Sequence, residues 1–137
     1  MQQLDYDRNV INDPLTYSII GSAMKVHREL GQGFQELIYQ RCLAIELEKA
    51  GLLFSREKEC NIYYDGQIVG TRRANFIVNN KVTVELKALI NIEEIHLLHS
   101  KNYLVLYNFA SGLLLNFGSS SLQIKKIFNP KYYSPNP

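Results

Sequence analysis

A chain of 137 residues, 46% apolar and 20% charged, is long enough for a sizeable core and too apolar for a disordered polymer. A net charge of +2 does not imply a large nonspecific hold on nucleic acid and leaves room for a local basic patch. No apolar run approaches the roughly 20 residues of a membrane helix, Met1-Gln2-Gln3-Leu4-Asp5 lacks a signal-peptide pattern, and Cys42 and Cys60 make no disulfide framework. The expectation is one intracellular, cytoplasmic domain over residues 1–137, with loosely held ends at 1–12 and 129–137 and no membrane contact.

The first helix is predicted from Asp13-Pro14, an N-cap followed by proline at the first helical position. It buries Ile19, Ile20, Ala23, Val26 and Leu30 and stops at Gly31. A tight Gly31-Gln32-Gly33 corner leads to a second helix from Phe34 to Ala50, whose Leu37, Ile38, Leu43, Ala44, Ile45 and Leu47 predict packing on two sides. From Leu52 the period changes to two, and Asp65-Gly66 between Cys60–Tyr64 and Gln67–Val69 is a type I′ hairpin signal. The second strand runs to about Val78 and turns through Asn79-Asn80 into a third, completing an antiparallel meander. A third helix is expected from Glu93 to Asn108 with Ile95, Leu98 and Leu106 among its apolar positions, then a buried strand at Leu113–Phe117 and an edge strand at Leu122–Phe128. The order α-α-β-β-β-α-β-β is an α/β fold, a mixed sheet flanked by helices, in which the third helix allows the strands on either side of it to run parallel.

Within the third strand, Val82, Val84 and Leu86 fall on one face and Thr83, Glu85 and Lys87 on the other. An acid and a base side by side on a strand backed by a core can hold a divalent cation and a hydrolytic water. The same pattern also describes an exposed strand with a cross-strand ion pair, so the remaining motifs decide between the two.

Gly33-Phe34-Gln35-Glu36-Leu37-Ile38-Tyr39 reads Gly-x-x-Glu-x-x-Tyr, with Val26–Gly31 before it and Glu46–Gly51 after it. Val84-Glu85-Leu86-Lys87-Ala88, Ile95-His96 and Gly112–Phe117 follow in order. Together these segments, over residues 15–128, resemble the GxxExxY proteins of the PD-(D/E)XK nuclease superfamily. The resemblance implies a restriction-endonuclease-like core and hydrolysis of phosphodiester bonds in nucleic acid. It implies Mg²⁺ or Mn²⁺ held by Glu36, Glu85 and the residue at the second-strand acid position, with Lys87 as the base that positions water. It also places Tyr39, Arg73, His96, His99 and Tyr103 in supporting roles.

Two departures stand out. In Arg72-Arg73-Ala74-Asn75-Phe76, Asn75 occupies the position where the family carries Asp, so the amide keeps an oxygen and loses the charge. In the third helix His99 replaces the family's Gln and Val105 its Lys, while His96 and Tyr103 match. Asp65 is explained by turn chemistry. A transition-metal site on His96 and His99, with His27 elsewhere, lacks a Cys or carboxylate at matching spacing. Arg72, Arg73, Lys125 and Lys126 as a phosphate path, and Tyr63, Tyr64, Tyr132 and Tyr133 as stacking platforms, compete with ordinary surface roles.

The reading is a metal-dependent nuclease-like protein whose catalysis Asn75 weakens or removes. The alternative is a degenerate nuclease fold, a pseudoenzyme that binds nucleic acid, a nucleotide or a protein. A homo-oligomer built on Leu113–Phe117 and the edge strand is a third reading.

Overall fold

The computed structural model describes residues 4–5 and 13–134. Its elements run β1 (Leu4–Asp5), α1 (Pro14–Leu30), α2 (Glu36–Lys49), β2 (Phe54–Tyr64), β3 (Gln67–Val78), β4 (Val82–Lys87), α3 (Glu94–Tyr107), β5 (Ser111–Asn116) and β6 (Leu122–Phe128). The expected order is present, with β1 as an addition. Strands lie in the order β1-β6-β5-β4-β3-β2. The β2–β3–β4 meander is antiparallel, β4 and β5 are parallel across the α3 crossover, and β6 returns antiparallel.

Local chemistry accounts for the boundaries. Asp13 caps α1: Oδ1 accepts from Thr16 N–H at 2.8 Å and Oδ2 from the Thr16 hydroxyl at 2.7 Å. Both hairpin turns, Asp65-Gly66 and Asn79-Asn80, have positive φ at their central residues, as the I′ geometry demands. Gly112 is required by proximity, because a Cβ there would run into the Thr83 hydroxyl of the neighbouring strand.

The sheet has two covered faces. On one, Ile19, Ile20, Ala23 and Val26 of α1 and Tyr39, Leu43 and Leu47 of α2 pack on Val82, Val84, Leu86 and the odd-numbered leucines of β5. On the other, Leu104 of α3 packs on Leu114 and Ile127. Among the described residues no helix is long and apolar enough to cross a membrane.

Several expectations need correction. Helix α2 packs on one side: Leu37 and Ile45 are 45% and 57% exposed, because the sheet meets only the Tyr39–Leu43–Leu47 stripe. Ile95 and Leu98 of α3 are likewise half exposed. Strand β6 is not a bare edge, since β1 pairs with its Leu122 and Gln123. That pairing places Leu4–Asp5 in the sheet, in contrast to the loose end expected over 1–12; residues 1–3 and 6–12 lie outside the described residues. The C-terminal stretch through Ser134 is also tied: Asn129 Nδ2 donates to Leu104 O and Phe109 O, and Asn108 and Tyr133 exchange hydrogen bonds. Residues 135–137 lie outside the described residues. Leu113, Leu114 and Leu115 are no more than 1% exposed inside the sheet, so they offer no surface for self-association.

Candidate active site

The corner between α1 and α2 aims Glu36. Gly33 has φ +103, a conformation closed to L side chains, and the chain then enters α2 with Glu36 as its first helical residue. Tyr39 fixes this corner from within the core. Its hydroxyl donates to Gly31 O at 2.6 Å and accepts from Phe34 N–H at 3.2 Å, while its ring stacks on Phe117 at 4.9 Å between centroids. In Gly-x-x-Glu-x-x-Tyr, the outer residues thus hold the turn that presents the middle one.

Glu85 stands where β3 and β4 part. Their ladder runs through Val78↔Val82, Ile77↔Thr83 and Phe76↔Val84, and side chains then take over from backbone pairing. Asn75 N–H donates to Glu85 Oε1 at 2.8 Å, and Asn75 Oδ1 accepts from Leu86 N–H at 2.8 Å. The carbonyl oxygen expected to face a cation is therefore engaged by the backbone of β4. At its other end, Asn75 Nδ2 donates to Glu57 Oε1 at 3.2 Å, and Gln40 Nε2 donates to the same oxygen at 2.7 Å.

The face of β4 that carries Glu85 is covered rather than open: α3 lies over it and Glu85 is only 6% exposed. Burial pushes the Glu85 carboxyl up to about 8; the Asn75 N–H and the Lys87 ammonium oppose the rise, and the charges of Glu36 and Glu57 add to it. Glu36 is raised as well, by burial, against the pull of Lys87 and with the push of Glu57. Glu36, Glu57, Glu85 and Lys87 are thus brought within electrostatic reach of one another from α2, β2 and β4. Tyr103 joins them from α3: burial raises its hydroxyl, the Glu85 charge adds, and Arg72 counters through charge and a hydrogen bond.

The other expected residues are dispersed. His96 serves its own helix, its Nδ1 accepting from Glu93 N–H at 2.9 Å in a capping box. His99 lies one turn further, half-buried. His27 is buried on α1 with Nε2 3.0 Å from Ser119 O. Arg73 pairs with Glu59 across the hairpin at 3.8 Å, both side chains about half exposed or more, and Lys126 pairs with Asp13 at 3.2 Å. Arg72 is the member of the arginine pair that meets Tyr103. Asp65 sits in its turn as expected, and Tyr63 and Tyr64 are exposed at the hairpin end. A cleft of about 850 Å³ lies by the start of β4, lined by Asp13, Asn80, Lys81, Tyr107 and Phe109 among others, not around the carboxylates at the far end of that strand.

Sequence reasoning missed Glu57 and Gln40. Glu57 lies in Ser55-Arg56-Glu57-Lys58-Glu59, which reads as a solvated strand; Gln40 could have been found as the residue four after Glu36, on the same helical face. Carboxylate oxygens suit a hard dication such as Mg²⁺ or Mn²⁺, so the donor chemistry fits one. No three His, Cys, Asp or Glu side chains among the described residues stand in ligating geometry, however. A cation would have to draw the carboxylates closer, which their mutual repulsion otherwise opposes.

A model of the PD-(D/E)XK nuclease superfamily matches residues 13–127. Among solved structures the chain is similar to one titled "Crystal structure of SSO0001", with a TM-score of 0.56 at 20% identity. The match covers 68% of this chain and 49% of that one, so the chain spans about half the length of this neighbour, and the likeness is one of fold. No curated protein matches the chain.

Proposed function

Because the chain belongs to the PD-(D/E)XK nuclease superfamily, we propose that it is a nuclease of the GxxExxY branch, hydrolysing phosphodiester bonds of nucleic acid with Mg²⁺ or Mn²⁺. One observation carries this reading: Glu36 from α2 and Glu85 and Lys87 from β4 act on one another's charge where β3 and β4 separate. The Gly33, Glu36 and Tyr39 corner supports the branch, since each residue has a distinct part in presenting the acid.

Glu36 and Glu85 would hold the dication. When bound, it supplies positive charge at the phosphate and a more acidic water. The chain's own groups do the rest. Asn75 N–H fixes one oxygen of Glu85, so that the carboxylate is presented in one orientation. Lys87 orients the attacking water, and its ammonium offsets charge that builds on the phosphate. Arg72, beside Tyr103, is a further cation for a neighbouring phosphate.

The test is cleavage of end-labelled DNA and RNA, single- and double-stranded, with Mg²⁺ or Mn²⁺. Wild type is expected to cut at least one of these, and Lys87→Ala to cut it slower by about 100-fold or more, by analogy with the loss of an oxyanion donor. A second reading, a non-catalytic binding module, is favoured by Asn75, whose amide brings a donor where the family has a charged acceptor. Retention of nucleic acid with no cleavage of any substrate would replace the first reading with the second.

A further inference from the structure

We propose that Asn116 is a positioning residue: its buried amide fixes the chain just beyond Lys87 and ties it to the corner that presents Glu36. The inference rests on the nuclease reading above, in which Lys87 and Glu36 work together, and it gives a part to the Gly112–Phe117 segment.

The sheet brings Lys87 and Asn116 together. Lys87, Asn116 and Gln123 are neighbours across β4, β5 and β6, on the last rung that β4 shares with β5. One backbone bond continues past it, from Phe117 N–H to Lys87 O at 2.8 Å. Beyond that bond the Asn116 side chain takes the place of a strand partner. Its Oδ1 accepts from Leu89 N–H and its Nδ2 donates to Leu89 O, each at 2.8 Å. One side chain thus holds both backbone groups of the residue that follows Ala88. Oδ1 also accepts from Gly118 N–H at 3.1 Å. Nδ2 donates to Gln123 Oε1 at 2.8 Å, and that oxygen accepts in turn from Ile92 N–H at 3.1 Å. Both donors and both lone pairs of the amide are engaged, at 0% exposure.

Such saturation fixes the orientation of a buried amide, because any rotation strands a polar group without a partner. Apolar packing does not hold this exit from β4 in the same way, since Ile90 is 81% exposed. The other side of the network leads to Glu36. Gly118 lies so close to Leu89 that a Cβ there would run into the Leu89 backbone. The Gly118 carbonyl accepts from Gln32 Nε2 at 2.8 Å, inside the corner before α2. Phe117 stacks on Tyr39, whose hydroxyl holds that same corner through Gly31 O. The Asn116-Phe117-Gly118 turn is therefore one abutment for two parts: the corner that carries Glu36 and the strand end that carries Lys87.

In the full chain with its amines ¹³C-dimethylated, in EDTA at neutral pH, the Lys87 methyl signal reports where that amine stands, and Lys87→Arg assigns it by its loss. In wild type the signal is expected apart from that of exposed Lys131. In Asn116→Ser, whose hydroxyl is too short to hold Leu89, it is expected to move most of the way toward Lys131. Where that variant fails to fold, Gln123→Leu removes the acceptor of Asn116 Nδ2 and is expected to move the signal in the same direction. A wild-type signal coincident with Lys131, or one unmoved in the folded variant, overturns the role of Asn116. Cleavage by the unmodified proteins gives the second readout. Asn116→Ser is expected to lower kcat by about 10- to 100-fold, the scale of a misplacement of about 1 Å, with KM changed less than about twofold. A loss carried by KM, or an unchanged kcat, overturns it as well. If wild type cleaves no nucleic acid, the nuclease reading falls, and the Lys87 signal still decides whether Asn116 places that amine.

Discussion

Glu85 is a carboxylate almost closed to water, with two acids nearby and one ammonium to compensate it. Without a cation it holds its proton to a pH of about 8, whereas an unfolded chain releases it near 4.5. Between those values unfolding releases a proton, so raising the pH favours the unfolded state. The stabilisation is complete below 4.5 and is lost as pH climbs through about 8. It is on the order of a few kcal/mol, since each tenfold change in proton affinity is worth about 1.4 kcal/mol. Glu85→Gln, which stays neutral, is expected to flatten this pH dependence and to be the more stable variant above pH 8; urea melts in EDTA across pH 5 to 9 check it. The sequence motif located Glu36 and Glu85 because each follows a local pattern. Glu57 escaped because its place depends on a left-handed backbone and on a partner eighteen residues away on the next strand.

At the scale of elements, the starts and stops were legible and the packing faces were not. Asp13, Pro14 and Gly31 bound α1 through short-range hydrogen bonding and sterics, which any sequence window contains. Asp13→Ala is expected to lower stability by about 1–2 kcal/mol, the usual worth of an N-cap, as Thr16 N–H and hydroxyl lose their acceptor. Lys126 would lose its partner too, although that pair is half exposed on the Asp13 side and contributes little. Denaturant midpoints of the two proteins measure the difference. The apolar residues of α2 and α3 misled because hydrophobicity does not say which face a sheet will cover. In α2 the buried set includes a polar Gln40 and omits Leu37 and Ile45; in α3 it includes Ser100 and omits Ile95 and Leu98. The same helix-end logic claimed His96, a site candidate from its motif, as a cap.

Across the whole molecule, the sheet is unevenly supported. Its centre, β4 and β5, is covered on both faces, while the outer half of the β2–β3 hairpin carries Tyr63, Tyr64, Ile68 and Val69 more than half exposed. Amides of residues 68–71 are therefore expected to exchange with deuterium at least about tenfold faster than those of 76–78, which sit over the core. Equal protection along the whole of β3 would contradict this picture. The sequence by itself determined the order of elements from α1 to β6, the type I′ turn at Asp65-Gly66, the turn at Asn79-Asn80, the Gly33–Glu36–Tyr39 spacing and the Glu85–Lys87 strand. All of these follow from neighbours a few residues apart, where periodicity and turn chemistry act. The tertiary structure alone decided that α3 buries Glu85 and that Asn75 bridges two parting strands. It alone brought Glu57 and Gln40 to the same carboxylate cluster as Glu36. Charge and burial there depend on side chains from α2, β2, β3, β4 and α3 at once, and no local pattern records that convergence.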